Sequence, residues 1–194
     1  GWNGYSTISK SYATVSVIGN SIIGGLVGEH GGDGATISEC FANGSVSGIG
    51  FVGGLLGECR DSNTNNCYSS SSVTGDAYVG GFVGSIILDS FISDCYALGS
   101  VVGNGHVGGF VGYNYQTEII DSIWNIEISG YTNGDGGGGG TITNLLGKTT
   151  AEMQMMSTYT DIGWDFVGES INGDDDTWDI CDETNDGFPF IDNL

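Results

Sequence analysis

Gly24-Gly25-Leu26-Val27-Gly28 decides the fold, because the chain repeats it. The phrase returns as Gly53-Gly54-Leu55-Leu56-Gly57, as Gly80-Gly81-Phe82-Val83-Gly84 and as Gly108-Gly109-Phe110-Val111-Gly112. The starts, 24, 53, 80 and 108, lie 29, 27 and 28 residues apart. A period of that length marks a stacked-repeat architecture, in which each copy buries its apolar face only against its neighbours.

Outward from the phrase, the copies align on Ser11, Cys40, Cys67, Cys95 and Ser122. Fifteen residues after these anchors come Leu26, Leu55, Phe82 and Phe110. Six after come Val17, Val46, Val73, Val101 and Ile128, and eight after come Gly19, Gly48, Gly75, Gly103 and Gly130. Three before come Ile8, Ile37, Thr64, Ile92 and Ile119. Length varies only between the glycine phrase and the next copy, in polar text such as Glu29-His30-Gly31-Gly32-Asp33-Gly34. Glycine inside a helix costs about 1 kcal/mol relative to alanine, so glycine every few residues excludes a helical repeat. The short runs of Val, Ile, Tyr and Phe favour strands. Cys40, Ala42, Gly44 and Val46 share one small, apolar face by strand parity, and that face points inward.

The expected fold is therefore all-β: a right-handed parallel β-solenoid of about five coils. Like residues stack about 4.8 Å apart along its axis. The glycines sit at corners that need either positive φ or close backbone approach. Residues 1–147 form the repeats and 148–194 an acidic, aromatic cap of the same domain. The copy anchored at Ser122 is degenerate, with Trp124 and a glycine-rich insertion, as terminal repeats are. Thr149-Thr150-Ala151-Glu152 reads as a capping box opening one short helix. Two short aromatic strands from the tail are expected to close the final coil.

The chain has 194 residues, enough for one domain with a core. It carries 24 acids against 3 bases, a net charge of -21. Phosphate backbones need Lys and Arg, which argues against nucleic acid. An anionic membrane surface is disfavoured likewise, and no stretch approaches the ~20 apolar residues of a membrane span. Cations are the natural partners, as bound metal or as a salt atmosphere, and a halophilic source would give the same balance. The first residue is Gly1, which suggests a processed or excised product.

The copies Cys40-Phe41-Ala42-Asn43-Gly44-Ser45-Val46 and Cys95-Tyr96-Ala97-Leu98-Gly99-Ser100-Val101, each followed by its glycine phrase, resemble the GLUG-motif repeats of bacterial and archaeal surface proteins. The tail, from Lys148-Thr149-Thr150-Ala151-Glu152-Met153 through Gly163-Trp164-Asp165-Phe166 to Phe188-Pro189-Phe190, resembles the segment that ends such arrays. The resemblance implies secretion and a cell-surface, adhesin-like setting. It carries over no catalytic residue.

Stacking turns repeat positions into columns. Glu29 with Glu58, and Asp94 with Asp121, are like charges on adjacent coils, which repel unless solvated, protonated or bridged by a cation such as Ca²⁺. The acidic tail offers Asp174, Asp176, Asp179, Asp182 and Asp186 as further oxygen ligands. Asp182-x-Thr184-x-Asp186-Gly187 opens like an EF-hand loop, but its twelfth position is Asn193 and Pro189 intrudes. For each set the alternative is a solvated surface. Tyr12, Phe41, Tyr68 and Tyr96 form one aromatic column, and Ile22, Phe51, Tyr78 and His106 a second. Either could bind sugar rings or another subunit, or serve as stacking along a solenoid wall. Cys40, Cys67 and Cys95 form an inward ladder, while Cys59 and Cys181 lie off it and could pair as a disulfide.

These features point to a non-enzymatic extracellular structural or adhesive module, self-assembling head to tail into surface filaments. Its partners are copies of itself or cell-surface glycans. The alternatives are a carbohydrate-binding adhesin domain, a polysaccharide-cleaving β-helix enzyme using Asp94 and Asp121, and an ice-binding solenoid with hydroxyls at Ser45, Ser47, Ser72 and Thr74.

Overall fold

A computed structural model describes residues 1–168, 170–173, 176–181, 184–192 and 194. The first turn holds β1 (Trp2–Gly4), β2 (Thr7–Ile18) and β3 (Ile22–Gly24). The second holds β4 (Val27–Ser47) and β5 (Phe51–Gly53), and the third β6 (Leu56–Asn65), β7 (Tyr68–Ser69), β8 (Ser72–Thr74) and β9 (Tyr78–Gly80). The fourth comprises β10 (Val83–Ile87), β11 (Phe91–Ser93), β12 (Tyr96–Ala97), β13 (Val101–Val102) and β14 (His106–Gly108). Pairing between turns is parallel and follows the aligned copies: Ile8 beside Ile37, Ser11 beside Cys40, Val46 beside Val73, Val79 beside Val107. The chain is a parallel β-solenoid.

Four turns are complete, against an expectation of about five. The fifth follows the pattern through β15 (Val111–Tyr115) and β16 (Glu118–Asn125) and then turns into a short helix, α1 (Ile126–Ser129). Asn125 caps it, its side chain accepting from the backbone N–H groups of Glu127 and Ile128, and Gly130 ends it in the left-handed region. Ile128 and Gly130 therefore leave their aligned columns. The glycine-rich insertion supplies a fifth corner instead: Gly109, Phe110 and Val111 donate to the carbonyls of Asn133 and Gly134. β17 (Thr141–Lys148) then adds a sixth rung to one wall, pairing with β16.

Two local rules shape each turn. The residue before every anchor, Lys10, Glu39, Asn66, Asp94 and Asp121, and Asn144 before Leu145, the residue paired with Ser122, have φ between 45° and 56°. This left-handed residue resets strand alternation, so residues three apart, such as Ile37 and Cys40, both point inward. The glycine phrase works by close approach. A Cβ on Gly24 would stand 2.6 Å from the Leu55 carbonyl oxygen, and one on Gly57 2.6 Å from the Gly28 carbonyl oxygen, with φ outside the left-handed region at both.

The interior is a set of stacked columns. Leu55, Phe82 and Phe110 are fully buried, and the two rings stack at 4.8 Å. Val46, Val52, Val73, Val79 and Val101 form a smaller core at the corner.

The tail adds α2 (Thr150–Met153), α3 (Ser157–Thr160), β18 (Trp178–Asp179) and β19 (Phe190–Ile191). The capping box at Thr149 and Glu152 is present. Two short helices replace the one expected. β18 and β19 pair antiparallel, yet they do not close the final coil. The tail lies along a side wall, where Met153, Tyr159, Trp164, Phe166 and Trp178 pack on Tyr68, Tyr96 and Ile123. The tail's aromatics thereby bury the Tyr68 and Tyr96 part of the outward aromatic column.

Candidate functional site

The first turn differs from every other. β2 pairs only with β4, β3 only with β5 and β1 only with β4, so one side of each strand is unpaired. Its inward residues Ile8, Ala13, Val17, Ile23 and Leu26 are half-buried, whereas Ile37, Ala42, Val46, Val52 and Leu55 one rung on are 0–1% exposed. Trp2, Tyr5 and Ile18 are exposed beside them. At the opposite end β17 pairs on one side with β16. Ile142 continues the Ile8 column, Leu145 the anchor column and Leu146 the Tyr12 column.

Beneath the open rung lies a buried polar corner. His30 is fully buried, with Nδ1 accepting from Asn3 Nδ2 at 3.1 Å and Nε2 donating to the Asn63 carbonyl at 3.2 Å. These partners assign the neutral ring, since Asn3 offers Nδ1 a donor. Burial, the largest cause, lowers the His30 pKa from its ordinary 6.5. The same corner recurs as Cys59 with Ser62 and as Asn114 with Thr117.

The acidic columns are partly neutralised by protein cations. Arg60 reaches Glu29 at 3.4 Å and pairs closely with Glu58, which is buried. One arginine therefore sits beside both glutamates of this column. Lys10 pairs with Glu39 at 3.0 Å and Lys148 lies 3.8 Å from Glu152, so all three basic side chains sit beside carboxylates. Asp94 and Asp121 occupy left-handed corners on adjacent rungs. Burial and then the Asp121 charge raise the Asp94 pKa, while Asp121 accepts from Asn144 Nδ2 at 2.8 Å. Asp94 lines a pocket of about 200 Å³ with Asn66, Trp164 and Asp165.

In the tail, Asp179 accepts from the Ile180 N–H, Asp176 donates its own N–H to Asp165, and the Asp186 carbonyl accepts from Gln154. Asp174 and Asp182 lie outside the described residues. Among the described residues no group of three or more His, Cys, Asp or Glu side chains could hold a metal ion, and no helix is long and apolar enough to cross a membrane.

The first aromatic column runs Tyr12, Phe41, Tyr68, Tyr96 with centroids 4.7–5.0 Å apart. Tyr68 and Tyr96 lie buried beneath the tail, and the Tyr96 hydroxyl donates to the Pro189 carbonyl. Burial pushes the Tyr68 pKa up to about 12. Tyr12 is exposed and Phe41 half-buried. The second column, Phe51, Tyr78 and His106, is half-buried to exposed. It gains Tyr113, edge-on to Tyr78 at 5.4 Å and to His106 at 5.5 Å, and Tyr115, 6.3 Å from Tyr113.

All five cysteines are free thiols. Cys40, Cys67 and Cys95 form the buried ladder, each donating to the carbonyl two residues before it. The expected Cys59–Cys181 disulfide is absent: Cys59 is sealed in the core against Ser62, and Cys181 is exposed on the tail. The strand placement of position 59 carried the missed signal, since its partners in register, His30 and Ile86, are also buried. Asn3 as the partner of His30 had no sequence signal, because the first copy lacks a glycine phrase ahead of it to align on. Tyr113 and Tyr115, two apart on one strand, could have been read as one outward face.

A family model described as the GLUG motif matches residues 103–123, from the corner glycine through the fourth glycine phrase to the anchor strand β16. No curated protein and no solved structure matches the chain. The chain thus carries the GLUG motif, consistent with a GLUG-repeat family.

Proposed function

We propose that the protein is a non-enzymatic, extracellular structural module whose copies stack head to tail, the β17 edge of one meeting the β2 edge of the next. The observation that carries this reading is the open first rung, with unpaired strand edges and half-buried inward residues where the next rung is sealed. An unpaired strand edge templates further strand addition. The register supports a heterologous contact: Ile142 leads into Ile8, Leu145 into Ser11 and Leu146 into Tyr12 of the neighbour. Such a contact does not close, so it propagates.

The net charge of -21 opposes stacking, so assembly depends on ions that screen or bridge it. Negative-stain microscopy in ~1 mM Ca²⁺, in about 0.15 M monovalent salt alone and in chelator tests this. Fibres of uniform width are expected in the first condition, and Leu26→Lys, at the open end, abolishes them. Dispersed particles in every condition defeat the reading and leave a monomeric adhesive module.

A further inference from the structure

We propose that the corner groove beside Tyr115 binds a neutral oligosaccharide. The groove encloses about 570 Å³ and is lined by Asp89, Phe91, Tyr115, Gln116, Glu118 and Thr141, with a glycine wall at 139–140. Three successive rungs build it. In the fourth turn the corner between Ile87 and Phe91 takes three residues, Leu88 to Ser90, where the neighbouring corners at 61–62 and 116–117 take two. Leu88 and Asp89 both adopt the left-handed region there. The corner at Gln116 is floored between this longer loop and the glycine turn, which has no side chains to fill the space.

The lining has the chemistry of sugar recognition. Tyr115 is 45% exposed, so a ring face is available. It is held from behind by Tyr113, itself wedged edge-on against Tyr78 and His106. A pyranose ring stacks its C–H face on such a rigid aromatic at little conformational cost. The carboxylates of Asp89 and Glu118 accept from sugar hydroxyls, and the Gln116 amide both donates and accepts. The half-buried Phe91 supplies a second apolar surface on the far side of the corner.

Charge selects among sugars. The lining holds two carboxylates and no base. All three cations of the chain lie beside other carboxylates. Uronic or sialic acids would bring a negative charge to an acidic groove with no counter-ion, which disfavours them. Between neutral and acidic sugars the groove therefore takes the neutral ones. One lining residue, Thr141, opens β17, the edge proposed to stack, so binding is read on the monomeric chain, where stacking does not enter.

Isothermal titration of the monomeric chain with cellohexaose, maltohexaose, mannohexaose and hexagalacturonate tests the assignment. At least one neutral hexamer binds and hexagalacturonate does not. Tyr115→Ala weakens that binding about fivefold or more, Tyr115→Phe restores it, and Tyr12→Ala, at an exposed ring on another wall, leaves it unchanged. Thermal melting of each variant confirms folding. The proposal is overturned if no neutral hexamer binds the unaltered protein. It is equally overturned if hexagalacturonate binds as well as the neutral sugars, or if Tyr115→Ala binds like the unaltered chain.

Discussion

Replacing Gly53 by alanine places a methyl group inside the seam between two rungs. Its Cβ would stand 2.5 Å from the Gly84 nitrogen and 2.6 Å from the Val83 Cα, with the Leu56 carbonyl oxygen closer still; real Cβ atoms essentially never approach below 3.0 Å. Every obstructing atom is backbone, so no side chain can swing aside. Relief requires the phrase to open away from its own Leu56 carbonyl and the two rungs to part, and the bonds from Leu55 and Leu56 to the Phe82 carbonyl, 2.8 and 3.1 Å, cross that seam. Overpacking of this kind costs about 1–3 kcal/mol, and two weakened backbone bonds add about 1 kcal/mol each. The sum, about 3–5 kcal/mol, lowers Tm by ~6–20 °C in a chain of this size. Gly34→Ala is the internal comparison. Gly34 has φ of 78° and open space around its Cβ position, so it isolates the conformational penalty, about 1–2 kcal/mol. Thermal unfolding followed by circular dichroism compares the two. If Gly53→Ala melts with Gly34→Ala, close approach is not why the phrase is glycine, and the account of the repeat fails.

Four further outcomes follow. Thr64 is fully buried with no hydrogen-bond partner for its hydroxyl, in a column otherwise of isoleucine; Thr64→Val should stabilise by about 1 kcal/mol in urea titration. His30 has a folded pKa below 6.5, so on acidification the unfolded chain takes up the proton first. The His30 contribution is fully present above about pH 6.5 and is lost as pH falls through the folded value, and His30→Gln should flatten the stability profile in that window. A thiol reagent under native conditions should label one cysteine per chain, Cys181, with the other four reacting only on unfolding; fast labelling of a second would contradict the buried ladder. Tyr96→Phe removes the hydroxyl shared by Pro189 and Asn185 and should cost about 1 kcal/mol, seen as faster proteolysis between residues 160 and 194.

The repeated glycine phrase and its flanking columns make the solenoid legible in the sequence, because each column obeys one local constraint that residue type reveals. Inward Val46, Val73 and Val101 are small and β-branched, and the glycines permit backbone contact. The tail was less legible. Its aromatics announce burial but carry no period, so nothing in their spacing names the surface they cover. The same gap hid the fate of Tyr68 and Tyr96, whose outward parity is correct but whose covering lies near residue 178. Arg60 between Glu29 and Glu58 was also out of reach, since a position two residues after Glu58 can bridge its column only through rotamer choice. The helix α1 could have been seen: Asn125, with Glu127 following, is a capping signal inside a copy that otherwise invited alignment as strand.

The tail that covers the aromatic wall also ties rungs to one another. Trp164 donates to the Asp121 carbonyl in the fifth turn, Tyr96 holds the Pro189 carbonyl in the fourth, and Trp178 donates to Asn66 in the third. These bonds run along the stack, across the ladders rather than within them, so the tail acts as a brace in parallel with the inter-rung hydrogen bonds. Under axial tension the braced rungs share load, whereas the seam between β2 and β4 lies beyond the brace, with Tyr12 uncovered above it. A fibre of such units would not stretch evenly. If copies stack as proposed, the contact between copies and the β2–β4 seam are the two joints outside the brace, and parting is expected there before the braced body opens.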